Sequence, residues 1–79
     1  MGIEFIDALK PGPEYVGTLL SAMGEDVRLV EVTDSVDGSV DEFRGDWRAK
    51  VPVYILNKEV RSWDKVQLYE GGKALVIRV

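Results

Sequence analysis

Charged and apolar residues alternate without a break in the stretch from Glu42 to Val51, which reads EFRGDWRAKV. A period of two residues is typical of a β-strand with one buried and one solvated face. Gly45 falls on the apolar side of this pattern, and a glycine inside a strand indicates a bend or a close backbone approach. The stretch therefore predicts a long, bent strand. In a chain of 79 residues, such a strand predicts a small, strongly curved sheet that closes as a barrel.

A helix is predicted before this stretch. Apolar residues recur with helical spacing between Pro13, which suits a first helical turn, and Gly24, which suits a helix end. A strand over residues 14–22 is the alternative interpretation of the same segment. Residues 1–10 fit a short edge strand or one helical turn equally well, and the sequence does not decide between them.

Five strands are predicted after the helix. The segment Asp26–Thr33 is apolar on both faces, as in a strand covered on both sides. Asp37-Gly38 is a hairpin signal that leads from it into the long alternating strand. Pro52 predicts a corner, and three further strands are expected at 53–56, 60–69 and 73–79. The fold class is thus mainly β, an N-terminal helix followed by a five-stranded antiparallel barrel in one domain, residues 1–79.

Composition narrows the function classes. The chain has no cysteine and no histidine, so disulfides, thiolate metal sites and imidazole catalysis are excluded. Because so short a chain often needs an additional source of stability, oligomerisation is expected, and a well-packed monomer is the alternative interpretation. The net charge of −4 opposes a broad nucleic-acid surface. No apolar run has the length of a membrane span and no signal-peptide pattern is present, so a cytoplasmic location is expected.

The same composition predicts no catalytic residue, no metal site and no cofactor. Gly71-Gly72 lacks the strand-to-helix context of a phosphate-binding loop and is interpreted as a turn. A cluster of carboxylates follows the first strand: Asp34, Asp37, Asp41 and Glu42. Its spacing fits no calcium-binding loop, so a solvated acidic loop is the preferred interpretation over a cation site.

The last strand predicts self-association. It is apolar on both faces and is expected at an unpaired edge, where another chain would have to cover it. Its candidate interface residues are Ala74, Leu75, Val76, Ile77 and Val79. Trp63 is added as an interface anchor, because tryptophan is enriched where protein surfaces pack. Pairing of this strand between copies would build a ring or a filament, depending on whether the geometry closes.

Residues 13–79 resemble the Sm/LSm family of small RNA-associated barrels. The similar stretches are Leu19–Leu29, which reads LLSAMGEDVRL, the Asp37-Gly38 turn, and the pattern Phe43-x-Gly45-x-Trp47-x-Ala49. A rival register places the match around Tyr15–Leu19, and SH3-like barrels share the pattern. The resemblance implies an Sm-like or SH3-like barrel, ring assembly through strand pairing, and RNA as a partner. Four positions depart from the uridine-pocket residues of the family: Val51, Ile55, Tyr69 and Glu70.

Aromatic and cationic residues supply the candidate nucleic-acid site. The resemblance implies that Tyr54 and Tyr69 lie close together, with three lysines near the same loops: Lys50, Lys58 and Lys73. Aromatic rings can stack bases while lysines neutralise phosphates. The alternative is that these tyrosines are rim residues with solvated hydroxyls.

Two functions are therefore predicted. The first is a homo-oligomeric, ring-forming Sm-like protein that binds RNA or single-stranded DNA. The alternative is a non-catalytic structural or protein-interaction module, such as a small phage or mobile-element component.

Overall fold

Four strands and three short helices make up residues 14–79, the part of the chain that the computed structural model describes. In chain order they are α1 (Val16–Ser21), β1 (Val27–Thr33), β2 (Val40–Arg44), α2 (Trp47–Lys50), α3 (Val53–Leu56), β3 (Ser62–Gln67) and β4 (Lys73–Arg78).

The strands form one mixed sheet in the order β2-β1-β4-β3. β1 and β4 are parallel neighbours in the middle, and each has its antiparallel hairpin partner on its outer side. The chain passes from one edge of the sheet to the other between β2 and β3, through α2 and α3. The sheet is open and has two edges, so the predicted five-stranded antiparallel barrel is wrong.

The core lies between one face of the sheet and the helices. Val30 and Leu75 are opposite each other in the register of β1 and β4, and both are fully buried. The helices contribute apolar residues to the same cluster: Val16, Leu19, Leu20, Trp47 and Ile55. No polar side chain in the described part of the chain is buried. The hydrophobic effect over this single layer is therefore the main stabilising term.

The alternating stretch from Glu42 to Val51 is not one strand. β2 ends at Arg44, Gly45 adopts a φ of +72°, and α2 begins at Trp47. Phe43, Trp47 and Val51 all contact the core. Residues four apart lie on the same face of a strand and also on the same face of a helix. The apolar positions alone were therefore compatible with both, and the alternation was interpreted as a strand. Ala49 decides between the two periods, because a continuous strand would bury it and the structure exposes it.

The segment after Pro52 is also helical. Ile55 and Leu56 donate their backbone N–H groups to the Pro52 carbonyl, so the proline lies at the start of α3 and not at a corner between strands. Pro52 therefore initiates a helical turn, a position that proline tolerates well because it needs no N–H there. This change removes one of the five predicted strands.

Three local predictions are confirmed. The helix is present as α1, although it begins at Val16 rather than at Pro13, which lies outside the described residues. Asp37-Gly38 forms the β1–β2 hairpin, where Gly38 donates its N–H to the Asp34 carbonyl over 2.9 Å. The last hairpin joins β3 to β4 through Gly71 and Gly72. The undecided segment 1–10 also lies outside the described residues.

Candidate functional site

The candidate nucleic-acid residues fall at two opposite ends of the sheet. Tyr54 and Lys58 lie beside the loop that follows β1, where both line a groove together with Asp34. Tyr69 lies in the β3–β4 turn, and Lys73 begins β4 opposite the first residue of β1. Because β1 separates these two groups along its whole length, the closeness of Tyr54 and Tyr69 that the resemblance implied is not present.

Several cations of the described chain have partners within the protein. Lys50 donates its Nζ to the Arg44 carbonyl over 2.9 Å, and Lys58 lies 3.6 Å from the Asp34 carboxylate. Arg48 lies over the Trp47 ring at 4.4 Å from its centroid and donates to a backbone carbonyl. Because each of these cations has a partner, its positive charge is partly neutralised, and the charges do not form a continuous positive surface.

Further ion pairs continue this pattern. Arg44 lies 3.7 Å from Glu70, and Lys65 lies 3.9 Å from Asp26. A groove of about 610 Å³ between the loop after β1 and the residues before β3 is lined by both signs of charge, including Asp34, Lys58 and Arg61. At these positions, therefore, positive and negative side chains alternate and do not form a continuous basic face.

The acidic loop after β1 holds its own carboxylates by backbone hydrogen bonds. Val36 donates its N–H to Asp34 over 2.7 Å, and Ser39 donates its N–H to Asp37 over 2.9 Å. The bond from Ser39 holds the pKa of Asp37 below its ordinary value. No group of three or more potential metal-ligating side chains comes together in the described part of the chain.

The candidate interface residues of the last strand lie inside the protein. β4 is bonded to β1 on one side and to β3 on the other, so the prediction that it forms an unpaired edge is wrong. Leu75 and Ile77 belong to the core, and Ala74 is buried. Val76 and Val79 are partly buried. Among the six candidate interface residues, only Trp63, on β3, lies at an edge of the sheet, and its role as an interface anchor stays a prediction.

The edge strand is β3, whereas the sequence predicted that β4, the last strand, would lie at an edge. All of its residues are exposed, and Trp63 and Val66 keep 45% and 47% of their surface accessible. β3 was predicted within residues 60–69, with Val66 facing inward, and that orientation is wrong. Among residues 14–79, nothing pairs with the outer side of this strand.

The register determines which backbone groups of β3 point outward. Leu68 donates its N–H to Gly72 over 3.0 Å, so this pair is hydrogen-bonded, and bonding then recurs at every second residue of an antiparallel ladder. Asp64 and Val66 therefore bond to β4. The residues between and beside them direct their N–H and C=O groups away from the sheet: Trp63, Lys65 and Gln67.

One of these outward donors is partly occupied. The Asp64 carboxylate accepts the backbone N–H of Lys65 over 2.8 Å. This bond is local and exposed, so an incoming strand can replace it at small cost. Trp63 and Gln67 present their outward groups on either side of it.

The opposite edge, β2, is better protected against pairing. Its outward residues, by the same argument, are Val40, Glu42 and Arg44, since Gly45 bonds to Arg28 and Asp34 bonds to Ser39. Lys50 already occupies the Arg44 carbonyl. Charged residues and occupied groups are features by which proteins discourage edge pairing. Three of the five residues of β2 are charged, whereas β3 has two charged residues among six and exposes a large aromatic side chain, Trp63, so β3 is the more accessible of the two edges.

The sequence does contain a signal for the order of the strands. β4, like β1, is apolar on both faces, which is typical of an inner strand. β3 carries a charge on each face, Asp64 on one and Lys65 on the other, which is typical of an edge. Val66, Lys65 and Gln67 are the candidate interaction residues that the sequence interpretation did not identify.

No helix within residues 14–79 combines the length and the apolar character needed to cross a membrane. Comparison with known proteins gives no matching family model, no similar curated protein and no similar solved structure. The resemblance to the Sm/LSm family therefore stays a prediction. A function can be inferred only from the geometry of the described residues.

Proposed function

We propose that this chain is a non-catalytic protein-interaction module that binds an extended polypeptide segment along the outer edge of β3. In this mode of recognition the ligand adds a strand to an existing sheet. Main-chain hydrogen bonds supply part of the affinity, and alternate side chains supply the specificity.

The observation that carries the proposal is the combination of open backbone and exposed apolar side chains on β3. Trp63, Lys65 and Gln67 each direct one donor and one acceptor outward. Trp63 and Val66 lie on opposite faces of the strand, so an added strand would cover an apolar side chain on each face. A backbone hydrogen bond contributes about 0.5–1.5 kcal/mol net, and burial of a large apolar side chain adds about 1.5–3 kcal/mol.

Binding of RNA or single-stranded DNA stays a prediction with less support from the geometry. A nucleic-acid groove combines a continuous positive surface with stacking aromatic rings. Tyr54 and Tyr69 lie at opposite ends of the sheet, and Lys58 is paired with Asp34. A strand-like polypeptide fits the described surface better than a phosphate backbone does.

A proline substitution tests the proposal at the edge itself. K65P removes an outward N–H and inserts a ring where the ligand strand would lie, whereas the ladder to β4 does not use that N–H. E42P is the matched control, because it removes an outward N–H at the middle of the other edge. The probe is a library of short peptides displayed on phage and selected on the dilute wild-type chain.

We expect selected peptides to bind the wild type and E42P, and to lose binding to K65P. Bound peptide should slow amide hydrogen exchange at Trp63 and Gln67 and leave Val40 unchanged. Selected peptides that bind K65P as tightly as the wild type, or that protect other amides, would contradict the proposal. A selection that yields no binding peptide would also count against it.

A further inference from the structure

We infer that β3 of a second copy of this chain can serve as the added strand, antiparallel, with the twofold axis passing between the two Val66 residues. This inference rests on the proposed function, because it names one partner for the same edge. It comes from the order of side chains along β3 and from which of its residues face outward.

The direction of the backbone groups limits the pairing. In an antiparallel ladder, outward residues of one strand must lie opposite outward residues of the other. Trp63, Lys65 and Gln67 are the outward residues of β3. Each symmetric register can therefore be named by the residue that lies opposite its own copy, next to the twofold axis. A twofold axis nearer the start of β3 is excluded, because the residues around Val60 would then have to pair with the second copy. Val60 already donates its N–H to Glu14, and Glu59 already forms a β-bridge with Tyr15.

The side chains then select one register among the axes from Trp63 to Gln67. Like charges directly opposite each other destabilise a strand pair. Each register except the one centred on Val66 places like charges opposite each other. An axis at Asp64 or at Lys65 places that residue opposite its own copy. An axis at Trp63 places Arg61 opposite Lys65, and an axis at Gln67 places Asp64 opposite Glu70. In the Val66 register no like charges are opposed.

The Val66 register also covers the exposed apolar residues of this edge. Val66 would lie opposite its own copy in a non-hydrogen-bonded pair, where the two Cα atoms approach to about 4.5 Å. Trp63 would lie beside Tyr69 of the other copy, at the first residue of the turn after β3. Lys65 would pair with Gln67, and its N–H would leave the Asp64 carboxylate for a backbone carbonyl.

The assembly would be one continuous sheet. Two sheets of four strands would join edge to edge, with an axis perpendicular to the sheet, so that the helices of both copies lie on the same side. This isologous arrangement closes after two copies, because each copy uses the same edge. The result is a dimer and not a ring.

Cysteine cross-linking tests the register, since the chain contains no native cysteine. V66C would place two thiols at a Cα separation that a disulfide can bridge. D64C is the matched control on the same face of β3, and its two copies would lie several residues apart. In the full-length chain with oxidised glutathione, we expect V66C to form a covalent dimer much faster than D64C. Equal rates, or faster cross-linking of D64C, would overturn the register.

A charge-swap pair provides the second measurement. In sedimentation velocity over a range of concentrations, V66K alone and V66D alone should lose the dimer that the wild type forms, and an equimolar mixture should regain it. V40K, on the other edge, should dimerise as the wild type does. Circular dichroism checks that each variant is folded, which is expected because Val66 is exposed.

The outcomes separate this inference from the proposed function. A wild type that stays monomeric but binds selected peptides along β3 would overturn self-pairing and keep the proposed function. A wild-type dimer that V66K and V66D both retain, or a mixture that stays monomeric, would also overturn the Val66 pairing. Loss of both self-pairing and peptide binding would overturn both.

Discussion

Trp47 is the residue that ties the helices to the sheet. The residue is 2% exposed, and its Nε1 donates to the Val27 carbonyl over 2.8 Å. Trp47→Ala should therefore destabilise the fold by about 3–5 kcal/mol, and Trp47→Phe by about 1–3 kcal/mol because it leaves the Val27 carbonyl without its donor. Urea denaturation measures both. Trp63→Phe is the control, with an expected change within about 0.5 kcal/mol because that ring is exposed. Similar losses at Trp47 and Trp63 would contradict the assignment of the faces.

Gly45 matters for a backbone reason that differs from the one the sequence indicated. The sequence suggested a bend within a continuous strand, whereas Gly45 follows the last residue of β2 with a φ of +72°, and no atom lies near the position of a Cβ. The cost of a side chain is therefore conformational and not steric. We expect Gly45→Asn to be tolerated best, Gly45→Ala to cost about 1–2 kcal/mol, and Gly45→Val to cost more. Thermal melts of the three variants give the order, and equal tolerance of Val and Asn would show that the left-handed conformation is absent.

Among the elements, the β1–β2 hairpin carries a pH dependence. The Ser39 N–H holds the pKa of Asp37 below its ordinary value. A carboxyl whose folded-state pKa is lowered stabilises the fold above its unfolded pKa, and this contribution is lost as the pH falls through the folded pKa. The stability difference between the wild type and D37N should thus be larger at about pH 6 than at about pH 3. Urea titrations at both values check this, with V36A as a control that changes no ionisable group. A difference that does not shrink in acid would contradict the assigned hydrogen bond.

The elements also show how far the sequence could predict this fold. Turn chemistry and propensity act locally, so the helix α1, the Asp37-Gly38 hairpin and the Gly71-Gly72 turn were predictable. The alternation from Glu42 to Val51 was not decisive, because residues spaced by four fit a strand and a helix alike. Only the rest of the fold decides between them, by burying Trp47 and Val51 against the sheet and leaving Ala49 in solvent.

At the scale of the whole molecule, the order of the strands was the main error, and it changed the candidate site. Chain order suggested that the last strand lies at an edge. β4 instead inserts beside β1, because both strands are apolar on both faces and gain most from an inner position. The edge is left to β3, whose charges and exposed Trp63 make it suited to solvent or to a partner. The edge at β3 could not be predicted from local patterns, because it results from the parallel pairing of β1 with β4, which lie far apart in the sequence.

Residue-resolved amide hydrogen exchange on the dilute chain tests the central claim, that β4 is an inner strand and that β3 is an edge with which no segment of residues 14–79 pairs on its outer side. An inner strand bonds on both sides, so we predict slow exchange at consecutive amides from Ala74 to Arg78. In β3, exchange should alternate, slow at Asp64 and Val66 and fast at Trp63 and Gln67. Alternating exchange in β4 together with continuous protection of β3 would contradict the account.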